Sequence, residues 1–172
     1  MELILAKTAG FCFGVKLAVE TAERFAERGE PAVTLGELIH NPDVVGELAK
    51  RGVPPVDSPE ECPPGATLII RSHGVSPEVI RRIRELGLSF CDATCPFVEK
   101  IHRIADERTA AGDILLVMGD PDHAETKGIL GHCGENAAVL RNLDELERYV
   151  KNEAPFGEKC HTLLSQTTFL RS

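Results

Sequence analysis

The sequence predicts an α/β fold of repeated small parallel-sheet units, with helices on both faces of each sheet. Short apolar runs alternate with stretches of helical periodicity along the whole chain. Two of these runs, 66–71 and 114–118, are almost continuously apolar, as expected of strands covered on both faces. Reactive polar residues follow directly on several runs, and parallel sheets bind ligands at that end of their strands.

The predicted elements fall into two units, 14–95 and 96–172, which follow a first strand and cysteine loop at 1–13. The first strand covers residues 3–7. A proline in the first turn and a serine cap mark the helix starts at Pro96 and Ser76. The remaining predicted strands are 32–39, 66–71, 86–90 (buried), 114–118, 137–140 and 160–165, and the predicted helices are 15–28, 43–51, 76–86, 96–111, 126–131 and 144–150.

Composition narrows the function classes. The formal net charge of -8 argues against broad nucleic-acid binding, although a local pocket can still hold a small anion. No apolar run approaches the roughly 20 residues of a membrane span, and the start of the chain lacks the pattern of a signal peptide, so we expect a cytoplasmic protein without membrane contact. Six cysteines in that compartment indicate metal binding, redox chemistry or plain burial.

Two cysteines stand where a helix is predicted to begin. Cys12 lies between glycines ahead of the first helix, and Cys95 lies between a predicted strand and Pro96. Unpaired N–H groups at a helix N-terminus favour a thiolate, which is a metal ligand or a nucleophile. Burial as small apolar side chains is the simpler alternative, and the pattern alone leaves both open.

Five polar residues follow predicted strands and are expected to meet at one edge of the sheets. Imidazoles, a hydroxyl and helix N-termini can together hold a polyphosphate without lysines. Glu125, two residues after His123, could serve as a general acid in the same pocket. His102, His132, His161, Cys62 and Cys133 are interpreted as structural or incidental. The five strand-end residues are His40, His73, Cys95, His123 and Thr167.

Six motifs in order give the sequence a family resemblance over its whole length. They are AGFCFGV (9–15), HN (40–41), SHGVS (72–76), DATCP (92–96), HAE (123–125) and QTT (166–168). The sequence resembles the LytB (IspH) family of 4-hydroxy-3-methylbut-2-enyl diphosphate reductases. The resemblance implies a 4Fe–4S enzyme of the non-mevalonate isoprenoid pathway, which removes the substrate hydroxyl with two electrons and a proton to give isopentenyl and dimethylallyl diphosphates.

The resemblance also implies residue roles. Cys12 and Cys95 match two cluster ligands, His40, His73 and His123 match the diphosphate-binding histidines, Glu125 matches the proton-relaying acid, and Thr167 matches a pocket hydroxyl. Reduced ferredoxin or flavodoxin would donate the electrons.

One departure from the family pattern shapes these expectations. Family members continue into a third α/β unit that carries the third ligand cysteine, so this sequence is expected to match about the first three-fifths of such an enzyme. A cluster-free, anion-binding fragment is therefore the alternative. A zinc deaminase would need a P-C-x-x-C motif after the histidine–glutamate pair, and a radical enzyme using S-adenosylmethionine would need a cysteine where Val98 stands.

Overall fold

A computed structural model describes residue 4 and residues 9–152 and 160–169. The predicted first strand at 3–7 lies outside the described residues, apart from the exposed Ile4. Among the helices in these ranges, none is both long enough and apolar enough to cross a bilayer.

The first part of the chain folds around a four-stranded parallel sheet. Helix α1 (Phe13–Arg28) precedes strand β1, helix α2 follows it, and a short strand β2 and a 3-10 turn lead into β3, α3 and β4. The strand order is β2-β1-β3-β4, and Leu68 of β3 pairs with Val33 of β1 on one side and Phe90 of β4 on the other. The bounds are β1 Ala32–Leu35, α2 Pro42–Lys50, β2 Pro55–Val56, the turn Pro59–Glu61, β3 Thr67–Ile70, α3 Pro77–Glu85 and β4 Ser89–Asp92.

The second part folds around a three-stranded parallel sheet with β5 (Ile114–Met118) at its centre. Strand β6 (Ala137–Leu140) pairs with one edge of β5 and strand β7 (His161–Ser165) with the other. Helix α4 (Pro96–Ala110) connects β4 of the first sheet to β5 of the second. Helices α5 (Ala124–His132) and α6 (Leu143–Asn152) complete it.

Each sheet is covered by helices on both faces, because alternate residues of its central strand enter different cores. In β3, Ile69 packs with α1 and α2, whereas Leu68 packs with α3. In β5, Val117 packs with α4 and α5, whereas Leu116 packs with Tyr149 of α6. The predicted fold class is therefore confirmed.

The predicted strand 32–39 is too long. It ends at Leu35 because Gly36 has a φ of 72°, a left-handed conformation that turns the chain out of the sheet. The two-residue strand β2 and the turn Pro59–Glu61 were not predicted.

The predicted buried strand at 86–90 is also wrong in position and environment. Strand β4 starts at Ser89, and Phe90 is 36% exposed. It is one of the two edge strands of the first sheet among the described residues, since it pairs only with β3.

Candidate functional site

Three histidines from three strand-end loops come together. His40 follows β1, His73 follows β3, and His123 follows β5 and caps the N-terminus of α5. Their ring centroids are 4.4 Å apart for His40 and His73, 4.9 Å for His40 and His123, and 5.3 Å for His73 and His123. These three side chains form what we call the histidine pocket, to which both sheets contribute.

The tautomer of His123 follows from its cap hydrogen bond. Its Nδ1 accepts the backbone N–H of Glu125 at 3.1 Å, so this nitrogen carries no proton. The proton of the neutral ring is then on Nε2, which lies 3.1 Å from Nε2 of His40 and can donate to it. Burial, followed by the charge of His40, lowers the pKa of His123. His123 therefore presents an N–H donor to the pocket near neutral pH.

His73 is the most strongly perturbed histidine of the pocket. Burial lowers its pKa to about 4, with smaller contributions from His40, His123 and Arg71. Its Nδ1 is buried and has no hydrogen-bond partner among the described residues. A buried nitrogen without a partner is unfavourable, so a ligand atom or a water at this nitrogen would stabilise the pocket.

Glu125 and Thr167 form a second, adjacent pair. The Glu125 side chain is 1% exposed, and its two oxygens accept hydrogen bonds from the Thr167 backbone N–H at 2.6 Å and the Thr167 Oγ1 at 2.8 Å. Thr167 itself is exposed. The carboxyl of Glu125 is thus separated from the outside by the hydroxyl of Thr167, which is the group that a bound molecule would meet first.

Gln166 holds this pair in place, a role that the sequence did not indicate. Its buried Oε1 accepts hydrogen bonds from the Asp120 N–H at 3.1 Å and from the Thr126 Oγ1 at 3.2 Å. Its Nε2 donates to Thr168 at 2.9 Å. The end of β7 is thereby tied to the β5 loop and to α5, the element that carries Glu125.

Cys12 and Cys95 are the N-cap residues of α1 and α4, as the sequence predicts. Neither sulfur makes a cap hydrogen bond. A Cβ on Gly14, in the first turn of α1, would overlap the Cys95 sulfur, so the two helix starts lie close together. The Cys95 backbone N–H donates to the Ser72 carbonyl at 2.9 Å, which links this cysteine to the loop that carries His73.

The other four cysteines are placed differently. Cys62 and Cys133 are buried in apolar cores, where desolvation raises the pKa of both thiols, that of Cys133 to about 11. Cys91 lies within the edge strand β4, and Cys160 immediately precedes β7. Among the described cysteines, only Cys12 and Cys95 are N-cap residues of helices, and these two thiols fit part of an iron–sulfur ligand set, which normally has three or four protein ligands.

The histidine pocket also has the geometry of a metal site. The candidate ligand atoms of His40, His73 and His123 lie within 4.8 Å of one another, and no other such trio occurs in the part of the chain that the structure describes. Three neutral imidazoles with an open fourth position are a known arrangement for Zn²⁺. Geometry alone therefore allows either an anion or a divalent cation.

Comparisons with known proteins agree with the motif pattern. The 4-hydroxy-3-methylbut-2-enyl diphosphate reductase of Thermoanaerobacter sp. (strain X514) is 41% identical over 99% of this chain and 58% of its own length. That of Citrifermentans bemidjiense is 42% identical over 86% of this chain and 52% of its own length. The chain thus spans little more than half of the curated relatives that it matches.

Solved structures show the same relationship. The Plasmodium falciparum E-1-hydroxy-2-methyl-but-2-enyl-4-diphosphate reductase superposes with a TM-score of 0.85 at 26% identity, covering 94% of this chain and 50% of its own. A second structure, of a reductase described as the terminal enzyme of the non-mevalonate pathway, gives a TM-score of 0.78 at 38% identity, with 96% and 58% covered. The family model described as LytB protein matches residues 3–172, and the chain therefore belongs to the LytB family.

Proposed function

We propose that this chain forms the diphosphate-binding and proton-delivering part of a 4-hydroxy-3-methylbut-2-enyl diphosphate reductase. The observation that carries the proposal is the meeting of His40, His73 and His123 at the strand ends, with the buried Glu125 behind Thr167. The names of the relatives agree with such a role. In the proposed reaction the substrate loses its hydroxyl as water and gains a hydrogen on carbon, with two electrons and two protons consumed, to give isopentenyl and dimethylallyl diphosphates.

The histidine pocket would hold the diphosphate. His123 presents its Nε2–H, because its Nδ1 is already an acceptor in the cap of α5. The contact between His40 and His123 at 3.1 Å would open, so that His123 donates to a phosphate oxygen instead. Nδ1 of His73 has no hydrogen-bond partner among the described residues. A phosphate oxygen, or a water bound to the phosphate, could form a hydrogen bond with it.

Glu125 would supply the proton through Thr167. Both carboxylate oxygens contact Thr167, and the hydroxyl of Thr167 lies on the exposed side. For the transfer, a protonated Glu125 would donate to Oγ1, which reverses the hydrogen bond of the structure in which Oγ1 is the donor, while Oγ1 passes its own proton to the substrate hydroxyl. The backbone N–H of Thr167 keeps the carboxyl oriented during this exchange.

Cys12 and Cys95 would hold two irons of a 4Fe–4S cluster as thiolates at the N-termini of α1 and α4. When bound, this cluster supplies the two electrons and a Lewis-acidic iron for the substrate hydroxyl. Among the described residues only these two thiols stand at helix N-termini, so the proposed ligand set needs further protein ligands. We further propose ferredoxin or flavodoxin as the electron donor and the cytoplasm as the location.

Anaerobic reconstitution with iron and sulfide tests the proposal. The chain is treated alone and after mixing with the C-terminal segment of a full-length relative, and iron content, visible absorbance and substrate-dependent oxidation of reduced methyl viologen are measured. We expect brown colour and activity only in the mixture. A colourless, inactive mixture would contradict the reductase proposal and would favour the cluster-free, anion-binding alternative that two helix-capping thiols suggest.

Substitutions in the active mixture separate the roles. Glu125→Gln keeps the shape but removes the transferable proton, so we expect turnover to fall by about 100-fold or more. His123→Ala should mainly raise KM. Glu47→Gln, at an exposed position of α2, is the matched control and should behave as wild type. Unchanged turnover in Glu125→Gln would exclude Glu125 as the proton donor.

A further inference from the structure

Arg71 is a half-buried arginine directly after β3, and the sequence did not indicate it as a site residue. It follows the last residue of β3, Ile70, and precedes Ser72 and His73. Its Nε is buried and has no hydrogen-bond partner among the described residues. A guanidinium has five N–H donors and normally uses them when it is buried, so this arginine has unused binding capacity.

The guanidinium is held in place by the turn after β1. A Cβ on Gly36 would overlap Nη1 of Arg71, and Gly36 has a φ of 72°, which glycine adopts without strain. The same turn leads on to His40. The chain therefore leaves room at Gly36 for the arginine and brings Arg71 to the side of the histidine pocket.

No carboxylate of the described residues balances the charge of Arg71. Within the described ranges Arg71 makes no ion pair, and burial alone lowers its pKa from the usual value. Taking a cation out of water without a partner is unfavourable. The described residues do not offset this penalty, whereas an anionic ligand that pairs with Arg71 would offset it.

The positive charge of Arg71 extends into the histidine pocket. It contributes to the lowered pKa of both His73 and His123, after burial and the other histidines. Lys127 lines the same small cleft as Arg71, and the oxygens of Glu125 are occupied by Thr167. A fixed positive charge beside the imidazoles repels a divalent metal ion and attracts an anion.

We propose that Arg71 is an anion-binding residue of the histidine pocket and pairs with a phosphate oxygen of the bound diphosphate. The inference rests on the proposed function for the choice of anion. A neutral imidazole can donate one hydrogen bond to the anion but carries no charge, whereas Arg71 is charged at every physiological pH. Arg71 thus supplies a positive charge that offsets the negative charge of the ligand near pH 7.

Calorimetric titration with inorganic pyrophosphate at pH 7.5 tests the proposal in the 172-residue chain. Loss of a charge-assisted hydrogen bond corresponds to about 10- to 100-fold in affinity, which we expect for Arg71→Gln. Arg84→Gln, on the exposed side of α3, is the matched control for net charge and should bind as wild type. His73→Asn reports on the pocket itself, and a titration with Zn²⁺ distinguishes a metal site.

The outcomes separate this proposal from the proposed function. If Arg71→Gln binds pyrophosphate as wild type while His73→Asn binds weakly, the role of Arg71 is wrong and the histidine pocket stands. If wild type binds Zn²⁺ but no pyrophosphate, both proposals are wrong for this chain. Thermal melting of each variant without ligand shows whether Arg71→Gln is folded.

Arginine modification in the wild-type chain gives a second measurement that needs no variant. Phenylglyoxal is applied with and without pyrophosphate, and the labelled peptides are quantified by mass spectrometry. We expect pyrophosphate to protect Arg71 but not Arg84. Equal labelling of Arg71 with and without pyrophosphate at a saturating concentration would overturn the proposal.

Discussion

Gly14 offers a direct test of the close approach between the two cysteine-capped helices. It is the second residue of α1, and a Cβ at this position would overlap the Cys95 sulfur and come within 2.9 Å of Cys95 Cβ. Real Cβ atoms do not approach other atoms so closely. The substitution Gly14→Ala should therefore push the starts of α1 and α4 apart.

Two opposing effects set the magnitude for Gly14→Ala. Alanine stabilises a helix interior over glycine by about 1 kcal/mol at most. Overpacking of a tight contact costs about 1–3 kcal/mol. We expect Gly14→Ala to be neutral to about 2 kcal/mol less stable than wild type, on the same estimates.

Gly46 provides the matched control in α2. A Cβ there meets no atom within 4 Å, so Gly46→Ala should only gain helix propensity and raise the free energy of unfolding. Urea unfolding followed by far-UV circular dichroism under reducing conditions measures both variants, since the chain lacks tryptophan.

A double-mutant cycle then assigns the effect to Cys95. Cys95→Gly removes both atoms that the new methyl group would meet, so it should relieve the strain of Gly14→Ala by about 1–3 kcal/mol. A Gly14→Ala variant as stable as Gly46→Ala, together with no coupling to Cys95, would refute the close approach.

Three further predictions concern stability. Thr167→Val leaves an oxygen of the buried Glu125 without the hydroxyl donor at 2.8 Å and should lower the free energy of unfolding by about 1.5–3 kcal/mol. Thr167→Ser keeps the hydroxyl and should unfold like wild type. Equal free energies of unfolding for the two variants would contradict the hydrogen bond. Asn41→Ala removes the cap that accepts the N–H groups of Asp43 and Val44 and should destabilise the chain by about 1 kcal/mol in the same assay; no loss would show that the cap is dispensable. Burial lowers the pKa of His102 from 6.5 to about 4, so the unfolded chain takes up a proton at a higher pH than the folded chain does. The free energy of unfolding should therefore fall by up to about 3 kcal/mol as the pH drops from 6.5 to 4. Urea unfolding of His102→Gln at several pH values should show a shallower fall, and an unchanged pH dependence would exclude His102 as its source.

Local patterns in the sequence were enough to predict most elements and the meeting of the three strand-end histidines. Proline and cysteine mark the start of α4 at Pro96, and apolar runs mark β3 and β5. The rule that ligands bind beyond the carboxyl ends of parallel strands applies to His40, His73 and His123 without any contact information. These features are determined by residues that are close in sequence, so they can be predicted without knowledge of the tertiary contacts.

Features that depend on distant partners could not be predicted. The hydrogen bonds between Glu125 and Thr167 join residues 42 positions apart. The exposure of β4 depends on what pairs with its far edge, which the apolar run before Phe90 does not reveal. Likewise, Arg71 looks like an ordinary strand-end cation until the structure shows that no described carboxylate lies beside it.

The loop after β3 packs tightly against α4 and α5, next to the histidine pocket. We call this contact between the two sheets the joint. His102 of α4 stacks on His132 of α5 at 4.2 Å, and a Cβ on Gly74 or Gly131 would collide with His102 or Ser76, respectively. His132 also contacts the carbonyl of Val75 at 3.3 Å. The loop after β3 is therefore clamped directly against α5.

This clamp has a consequence for the site. The loop after β3 carries His73, and α5 begins at His123, so the 5.3 Å separation of their rings depends on the packing of these two elements. A larger residue in the joint would move one histidine relative to the other without touching either. In the proposed anion site, two neutral imidazoles and Arg71 must converge on one ligand, so the proposal requires the tight joint to hold them together.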